Sequence, residues 1–281
     1  GIKPLFYVKY KDLLILSSEI KAILDFLPGE KKINEKSIFK FLSRGWADTN
    51  EQTFFKNIKR LPASSLLNFS LNQIEVKKYW KLKFKKELQF DKNYFSKAFQ
   101  KNISLHLNSD VSIATTLSGG LDSSSITSIS SKLLGAKKAP HAFSIIPPHT
   151  EDESILINEI VKDLGIKHTY CNYEEADFIN ILDQVIQAHD EPFLTSSAIY
   201  QFILRKHIAS LGFKVLLVGE GGDELLGGYR RMVYPYMYSL KQKGENEVLN
   251  TTINKLESFL GISKKNAVIN EAIFQLKLPK E

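Results

Sequence analysis

Hydrophobic and polar residues alternate in short runs through the first ninety residues. Two apolar runs, at 4–10 and 13–19, flank the polar pair Lys11 and Asp12, which predicts a β-hairpin. A helical pattern follows at 20–27 and ends before a proline and a glycine. The remaining pattern predicts a second helix and a second pair of strands, at 35–45, 65–70 and 74–80. Short strands with interspersed helices predict an α+β domain over residues 1–85.

The pattern changes near Asn93, where longer helical segments begin to alternate with short apolar runs. Strands are predicted at 112–117, 141–146, 168–173 and 214–218, and helices at 94–107, 124–134, 152–165, 174–189 and 195–212. This alternation is typical of the Rossmann-like α/β class, in which helices cover both faces of a parallel sheet. We therefore predict an α/β domain over residues 92–281, with the boundary in the charged segment at 82–92.

Composition narrows the functional classes. The 281 residues contain no uninterrupted apolar run of the roughly 18 residues that a membrane span requires. Nothing near the start resembles a signal peptide, so we expect a cytoplasmic protein without a membrane partner. The formal charge of +7 comes from scattered lysines, which favours a solvated basic surface over a nucleic-acid site. The single cysteine, Cys171, is expected to be buried and structural.

The segment LSGGLDSSS, residues 117–125, stands between a predicted strand and a predicted helix. Its small residues let the backbone approach a phosphate closely, and the helix N-terminus adds N–H donors. Ser123, Ser124 and Ser125 would add hydroxyl donors. Asp122 would repel a phosphate unless a Mg²⁺ ion lies between them. We therefore predict a magnesium pyrophosphate site, the alternative being a serine-rich helix cap.

A second glycine-rich segment, GEGGDELLGGY at 219–229, follows the predicted strand 214–218. Its three carboxylates stand among five glycines, a composition that a hydrophilic turn explains poorly. Ligands of parallel sheets bind outside the carboxyl ends of the strands, so both glycine segments should lie at one edge. Asp223 would then complete a metal site with Asp122, and Glu220 would face the reacting carbon.

These segments resemble those of a known family. SGGLDSS after a strand is similar to the pyrophosphate loop of the ATP pyrophosphatase group, and LLVGEGGDELLGGY resembles the partner motif of asparagine synthetases. HAFSII, EDESILINEIVKDLGIKH and HDEPF resemble the family's adenine-side strand, its next helix and the stretch before its penultimate helix. GIKPLFY, SSEIKAIL and FKNIKRLPASSLLNF resemble the second half of its glutaminase domain. The resemblance spans nearly the whole chain.

The resemblance implies a carbon–nitrogen ligase of the glutamine-hydrolysing asparagine synthetase family. ATP would activate the side-chain carboxylate of aspartate as an acyl adenylate, and ammonia from glutamine would then displace AMP. The implied substrates are ATP, aspartate and glutamine or ammonia, the implied cofactor is Mg²⁺, and a homodimer is the assembly considered. The domains would be a partial N-terminal-nucleophile glutaminase domain and a PP-loop synthetase domain similar to adenine nucleotide alpha hydrolases.

The resemblance also implies residue roles. Glu220 matches a catalytic glutamate that forms or uses the adenylate, and Asp122 and Asp223 match residues near the metal. Four residues would contact the nucleotide largely through the backbone, namely Leu117, Ile145, Val218 and Gly219. The pyrophosphate would be held by Ser118, Gly119, Gly120, Asp122 and Ser123.

Two departures from the family stand at the ends of the chain. The family's glutaminase uses an N-terminal cysteine as its nucleophile, whereas residue 1 here is glycine and Cys171 lies in the other predicted domain. The family's Asn-Gly-Glu stretch and its Glu-x-Arg-x-Pro-Phe-Leu-Asp segment are also absent. We expect a fragment of a longer protein, incomplete in both domains, that does not hydrolyse glutamine by itself.

Three alternatives stay open at this point. The acceptor could be another carboxylate, because relatives with these loops close β-lactam rings, cyclise peptides or amidate surface sugars. A tRNA-modifying enzyme could carry the same loop, although it would need an RNA-binding surface and usually additional cysteines. A scaffold that binds partners without catalysis is the third alternative, and the intact carboxylates argue against it.

Overall fold

The computed structural model describes residues 3–29, 31–70, 73–83, 90–148, 152–173 and 178–260. We call residues 3–83 the first region and residues 90–260 the second region. The two regions have separate sheets, antiparallel in the first and parallel in the second. The predicted boundary at 82–92 stays a prediction, because residues 84–89 lie outside the described part of the chain.

The first region contains a three-stranded antiparallel sheet, a separate strand pair and two helices. The sheet has the order β2-β1-β3, and Phe6 on β1 pairs with Ser17 on β2 and with Arg60 on β3. Its elements are β1 (Phe6–Tyr10), β2 (Leu13–Ser17), α1 (Ile20–Phe26), α2 (Glu35–Arg44), β3 (Lys59–Arg60), β4 (Ser65–Ser70) and β5 (Gln73–Lys78). The predicted hairpin, helices and second strand pair are confirmed, whereas β3 was not predicted.

The core of the first region lies between its sheet and α1. Phe6 and Val8 are two residues apart on β1, so both point to the same face of the sheet. They pack there against Ile20 and Ile23 of α1 and against Ile58, and all five side chains are buried. The alternation of the predicted hairpin therefore positions α1 over the sheet.

The second region is built on a four-stranded parallel sheet with the order β8-β7-β6-β9. The central strand β6 pairs with β7 on one side and with β9 on the other. The elements are α3 (Lys92–His106), β6 (Ile113–Thr116), α4 (Leu121–Leu134), β7 (His141–Ser144), α5 (Ser154–Leu164), β8 (His168–Tyr170), α6 (Phe178–His189), α7 (Ser197–Ser210), β9 (Val215–Leu217), α8 (Gly222–Leu226), α9 (Arg230–Lys243) and α10 (Asn246–Leu260). The predicted α/β class and its parallel sheet are confirmed.

Helices cover both faces of this sheet. Phe143 on β7 is fully buried in a cluster with side chains of α6 and α7, including Val185 and Ile203. Its neighbour Ala142 belongs to a different cluster, with Ile157 of α5. Successive strand residues point to opposite faces, so the two clusters lie on opposite sides of the sheet.

Two details differ from the sequence pattern, and helices α9 and α10 were not predicted. Strand β8 ends at Tyr170, so Cys171 follows the strand; the cysteine is buried as predicted, and burial raises the pKa of its thiol. The second glycine segment contains a short helix, α8, where only a loop was predicted. The start of the helix predicted at 174–189 lies outside the described residues. Among the described residues, no helix is both long and apolar enough to cross a membrane.

Candidate active site

Three strands of the second region end at the edge of the sheet where the site was predicted. Leu117 follows β6, Ile145 follows β7 by one residue, and Val218 follows β9. Because these strands are parallel neighbours, their carboxyl ends lie side by side. The structure thus brings together the three strand ends that carry the predicted backbone contacts.

The first glycine segment, 118–125, is organised by its own hydroxyl groups. Ser118 donates its N–H to Ser123 Oγ at 3.0 Å, and the two serine oxygens lie 2.8 Å apart. Gly120 donates its N–H to Ser118 Oγ at 3.2 Å, and Ser124 donates its hydroxyl to the Gly120 carbonyl at 2.7 Å. Ser123 is buried, whereas Ser118 and Gly120 are exposed, so the network has a buried centre at Ser123 and an exposed rim. The segment is therefore held in one conformation by its side chains.

The N–H group of Gly119, which lies between those of Ser118 and Gly120, has an acidic partner. Gly119 donates its N–H to Glu153 Oε2 at 3.0 Å, immediately before α5 begins. A methyl group added at Gly119 would lie 3.2 Å from Glu153 Cβ and 3.1 Å from Leu156 Cδ1, so α5 approaches the segment closely. No role for Glu153 was predicted, because Gly119 and Glu153 are brought together by the packing of α5 near α4.

A buried chain of hydrogen bonds supports the start of the segment from behind. Ser144 Oγ donates to the Leu117 carbonyl at 2.5 Å, and His168 Nε2 lies 2.8 Å from the same oxygen atom of Ser144. Since the serine uses its one proton on Leu117, His168 donates from Nε2. Burial, and then the charge of His141, lower the pKa of His168, which favours its neutral form. Neither Ser144 nor His168 was predicted from the sequence.

The second glycine segment touches the first through Asp122. A methyl group added at Gly219 would lie 3.1 Å from Asp122 Cβ and 3.1 Å from the Ser123 backbone nitrogen. A methyl group at Gly222 would lie 2.6 Å from Asp122 Cγ. The absence of side chains at these two positions lets the segments approach, and it places the Asp122 carboxylate against the first residue of α8.

The other predicted metal ligand points elsewhere. A methyl group at Gly228 would lie 2.9 Å from Asp223 Cγ, so the Asp223 carboxylate lies against the residues after α8. The part of the chain that the structure describes contains no group of three or more His, Cys, Asp or Glu side chains arranged for a metal ion. The assignment of Asp122 and Asp223 to a metal therefore stays a prediction.

Glu220 is exposed and forms an ion pair with α7. Arg205 Nη2 lies 3.1 Å from Glu220 Oε1, and Arg205 also donates to the Gln201 side chain. An exposed pair of this kind stabilises a fold by only about 0–1 kcal/mol. Its main effect is therefore on the orientation of the Glu220 carboxylate. A cavity of about 400 Å³ adjoins the pair, and its polar lining is His189, Thr195, Ser197, Gln201, Arg205 and Glu220.

Comparison with known proteins finds similarity along most of the chain. The profile of the asparagine synthase family matches residues 95–276, and a glutamine amidotransferase domain profile matches residues 1–80. The putative asparagine synthetase (glutamine-hydrolyzing) 2 of Methanocaldococcus jannaschii is 30% identical over 250 residues, which are 86% of this chain and 48% of that protein. Asparagine synthetase (glutamine-hydrolyzing) 3 of Bacillus subtilis is 29% identical, over 82% of this chain and 40% of its own length.

A relative with a different name matches to a similar extent. Amidase chyE of Penicillium rubens is 26% identical over 251 residues, which are 82% of this chain and 36% of that protein. The chain therefore spans less than half the length of each of these three curated relatives.

Proposed function

The chain belongs to the asparagine synthase family, and on this premise we propose that it carries the adenylate-forming site of a glutamine-hydrolysing asparagine synthetase. In this proposal ATP activates the side-chain carboxylate of aspartate, so that an acyl adenylate forms and pyrophosphate leaves. Ammonia from glutamine then attacks the acyl carbon and displaces AMP. The contact of Asp122 with Gly219 and Gly222 supports this proposal most directly, because it joins both motifs at one sheet edge.

The first segment is proposed to bind the phosphates of ATP. Its serines already hold the backbone in place, so the N–H donors need little reorganisation when charge develops on the leaving pyrophosphate. A phosphate oxygen that takes the Gly119 N–H has to displace the Glu153 carboxylate from it. Glu153 therefore competes with phosphate in this proposal, both for the donor and through its negative charge.

Leu117, Ile145, Val218 and Gly219 are proposed to contact the rest of the nucleotide through their backbone. Leu117 is only 2% exposed as a whole residue, so its backbone as well as its side chain is largely covered in this structure. Ser144 fixes the carbonyl of this residue, which keeps the strand end in one position. The part of the site that binds the adenine base would thus rest on the hydrogen bonds that run from His168 through Ser144 to Leu117.

Asp122 and Asp223 are proposed to hold Mg²⁺. Proteins commonly bind this ion through one or two carboxylates while phosphate oxygens and waters complete its coordination, and Asp122 at the contact of the two segments suits that donor set. The Asp223 carboxylate, which lies against Gly228, would have to turn toward Asp122 to bind the same ion. When bound, the ion would stabilise negative charge on the pyrophosphate. Glu220, oriented by Arg205, would act at the acyl carbon, and the adjoining cavity would accept the carboxylate substrate.

A second candidate acceptor follows from the relatives. Because the chain is similar to amidase chyE, the alternative is a related amidotransferase that acts on another carboxylate. The cytoplasmic location, the homodimer and the absence of a nucleic-acid partner are further predictions of the proposal. These three predictions matter less to the proposal than the identity of the carboxylic acid that stimulates pyrophosphate release from ATP.

Pyrophosphate release by the full-length protein tests the proposal. We expect stimulation by aspartate, and we expect Asp122→Ala and Glu220→Ala to abolish adenylate formation while the circular dichroism spectrum is unchanged. Stimulation by a different acid alone would replace the asparagine assignment with the alternative. Unchanged pyrophosphate release in both variants would contradict the assigned residue roles.

A further inference from the structure

The connection between α6 and α7, residues 189–197, reaches from the second region into the first. Glu19, the residue before α1, makes no side-chain cap for that helix. Asp190 does so instead, since its Oδ2 accepts the N–H of Ile20 at 2.7 Å and that of Lys21 at 3.3 Å. The Lys21 ammonium also lies 3.1 Å from Asp190 Oδ1. An acid of the second region thus caps a helix of the first.

Glu191 makes a second link between the regions. Its Oε1 accepts the N–H of Phe54 at 2.8 Å, and its Oε2 pairs with Arg60 Nη2 at 2.7 Å. The side chains of Asp190 and Glu191 are each only 10% exposed. Burial raises the pKa of Glu191, although the Phe54 N–H and the Arg60 charge oppose that shift. Removal of one partner from such a buried pair leaves an uncompensated charge and is costly.

The same connection forms one wall of the Glu220 cavity. His189 precedes the two acids, Thr195 and Ser197 follow them, and all three line the cavity beside Glu220. Asp190 has a φ of 62°, a left-handed conformation that aspartate tolerates better than most residues. The chain therefore turns sharply at Asp190, so that Asp190 and Glu191 contact the first region while His189 before them and Thr195 and Ser197 after them line the cavity.

We propose that Asp190 and Glu191 are positioning residues that make the shape of the Glu220 cavity depend on how the first region is docked. Asp190 and Glu191, whose side chains are largely buried, fix the beginning of the connection on α1, Phe54 and Arg60. A change at these contacts would displace the neighbouring His189, Thr195 and Ser197. Two further contacts flank the acids, because Leu194 packs near Gly45 and Lys21 Nζ donates to the Gln187 carbonyl. The expected effect on the reaction rate rests on the proposed function, whereas the expected effect on the shape of the cavity does not.

Amide hydrogen exchange and a partial reaction test the inference in the full-length protein. Glu191→Ala should accelerate exchange at residues 195–205 and 219–222. It should also lower kcat for aspartate-dependent ATP–pyrophosphate exchange about tenfold, with the KM for ATP changed less than about twofold, because small displacements of a reacting group reduce rates strongly. This partial reaction uses neither glutamine nor ammonia, so it reports on the cavity alone.

Matched variants separate positioning from general stability. Glu75→Gln, which removes the exposed ion pair of Glu75 with Lys77, is the control and should change neither measurement. Asp190→Asn keeps an acceptor for the two N–H groups of α1 and should preserve more of the kcat than Asp190→Ala. If an alanine variant does not fold, Glu191→Gln or Asp190→Asn takes its place, and its kcat and hydrogen exchange are compared with those of the wild type.

The possible outcomes are distinguishable. Faster hydrogen exchange at the cavity together with reduced kcat in the Glu191 variants supports the inference. A lower melting temperature with unchanged cavity exchange and unchanged kcat overturns it and leaves the proposed function intact. If the wild-type protein shows no pyrophosphate exchange with any acid, the proposed function fails, and hydrogen exchange alone still decides whether the link controls the cavity.

Discussion

The two glycine segments lie in contact, yet they are built differently. The first is held by hydrogen bonds among its own serines and by the buried support of Ser144 behind it. The second exposes Glu220, whose carboxylate has an ion pair with Arg205 at the surface. This difference indicates a division of tasks, in which a fixed frame binds phosphate and an adjustable segment supplies the reacting acids.

Backbone conformation follows the same division. Gly221 has a φ of 95°, which a residue with a side chain adopts only with strain, so the second segment needs glycine to turn into α8. The first segment needs a small residue at Gly119 because α5 approaches it closely there. Substitutions that break the serine network of the first segment should therefore affect stability, whereas substitutions of the acids Asp122 and Glu220 should affect activity.

The largest effect is expected for Glu220→Gln in the second segment. The substitution keeps the size of the side chain and removes its charge, so pyrophosphate release should fall by about a hundredfold or more. Because Glu220 is exposed, the free energy of unfolding should change by less than about 0.5 kcal/mol. Steady-state kinetics and urea unfolding measure the two quantities, with Glu245→Gln as the control. Activity near that of the wild type would remove Glu220 from the reaction.

Ser123→Ala, in the first segment, should reduce the free energy of unfolding more than Glu220→Gln does. Loss of its buried hydroxyl leaves the Ser118 N–H without its acceptor, so the free energy of unfolding should fall by about 1–3 kcal/mol. Ser125→Ala is the control, because the hydrogen bonds described within the segment involve Ser118, Ser123 and Ser124. Equal stability of both variants in urea unfolding would show that the segment is not held by its side chains.

Glu153→Gln should increase the affinity for pyrophosphate about threefold to tenfold, because it removes a negative charge from the Gly119 N–H while keeping the side-chain length. Isothermal titration with pyrophosphate and Mg²⁺ measures the change. Glu159→Gln, on the exposed side of the same helix, is the control and should bind as the wild type does. Weaker binding by Glu153→Gln would mean that this acid supports the site, contrary to the competition proposed.

The smallest effect concerns pH and the support behind the first segment. The pKa of His168 is lowered in the folded state, so the unfolded state binds its proton first as the pH falls below about 6.5. Stability should therefore be fully present above that pH and decrease toward pH 5, with a contribution of about 1 kcal/mol or less from this residue. His168→Asn should show a smaller decrease in urea unfolding.

The pKa of His141 is also lowered, by burial and then by the charge of Lys167, and it adds a decrease of the same sign in both proteins. The difference between the wild type and His168→Asn therefore isolates His168. Identical pH profiles of the two proteins would contradict a half-buried His168 that is kept neutral by the fold.

Hydrophobic periodicity was sufficient to predict most of the second region. The apolar runs became β6, β7 and β9, and parallel pairing then placed Leu117, Ile145 and Val218 at one edge. Strand β3 was missed because two residues carry no periodicity, and it forms through its pairing with Phe6 and Tyr7 on one side and through contacts with Glu51 and Gln52. Helix α8 was missed because its glycines predict a turn and only one turn of helix forms there.

The candidate site was predictable where its residues are close in sequence. The serines of the first segment and the acids of the second stand beside the glycines that mark them. Glu153, Arg205 and His168 reach the site from other elements, so their partners depend on how helices pack and strands align. The acids at 190–191 were part of a motif that resembled the family, but their contacts with α1 and Arg60 depend on the packing of two regions.

A crystal structure of the full-length protein with a non-hydrolysable ATP analogue and Mg²⁺ tests the central claim most directly. We predict phosphate oxygens within hydrogen-bonding distance of the Gly119 and Gly120 N–H groups, the Glu153 carboxylate displaced, and the metal ion between Asp122 and Asp223. A nucleotide bound elsewhere, with Glu153 still on Gly119 and the two aspartates away from it, would contradict a shared site at the two glycine segments.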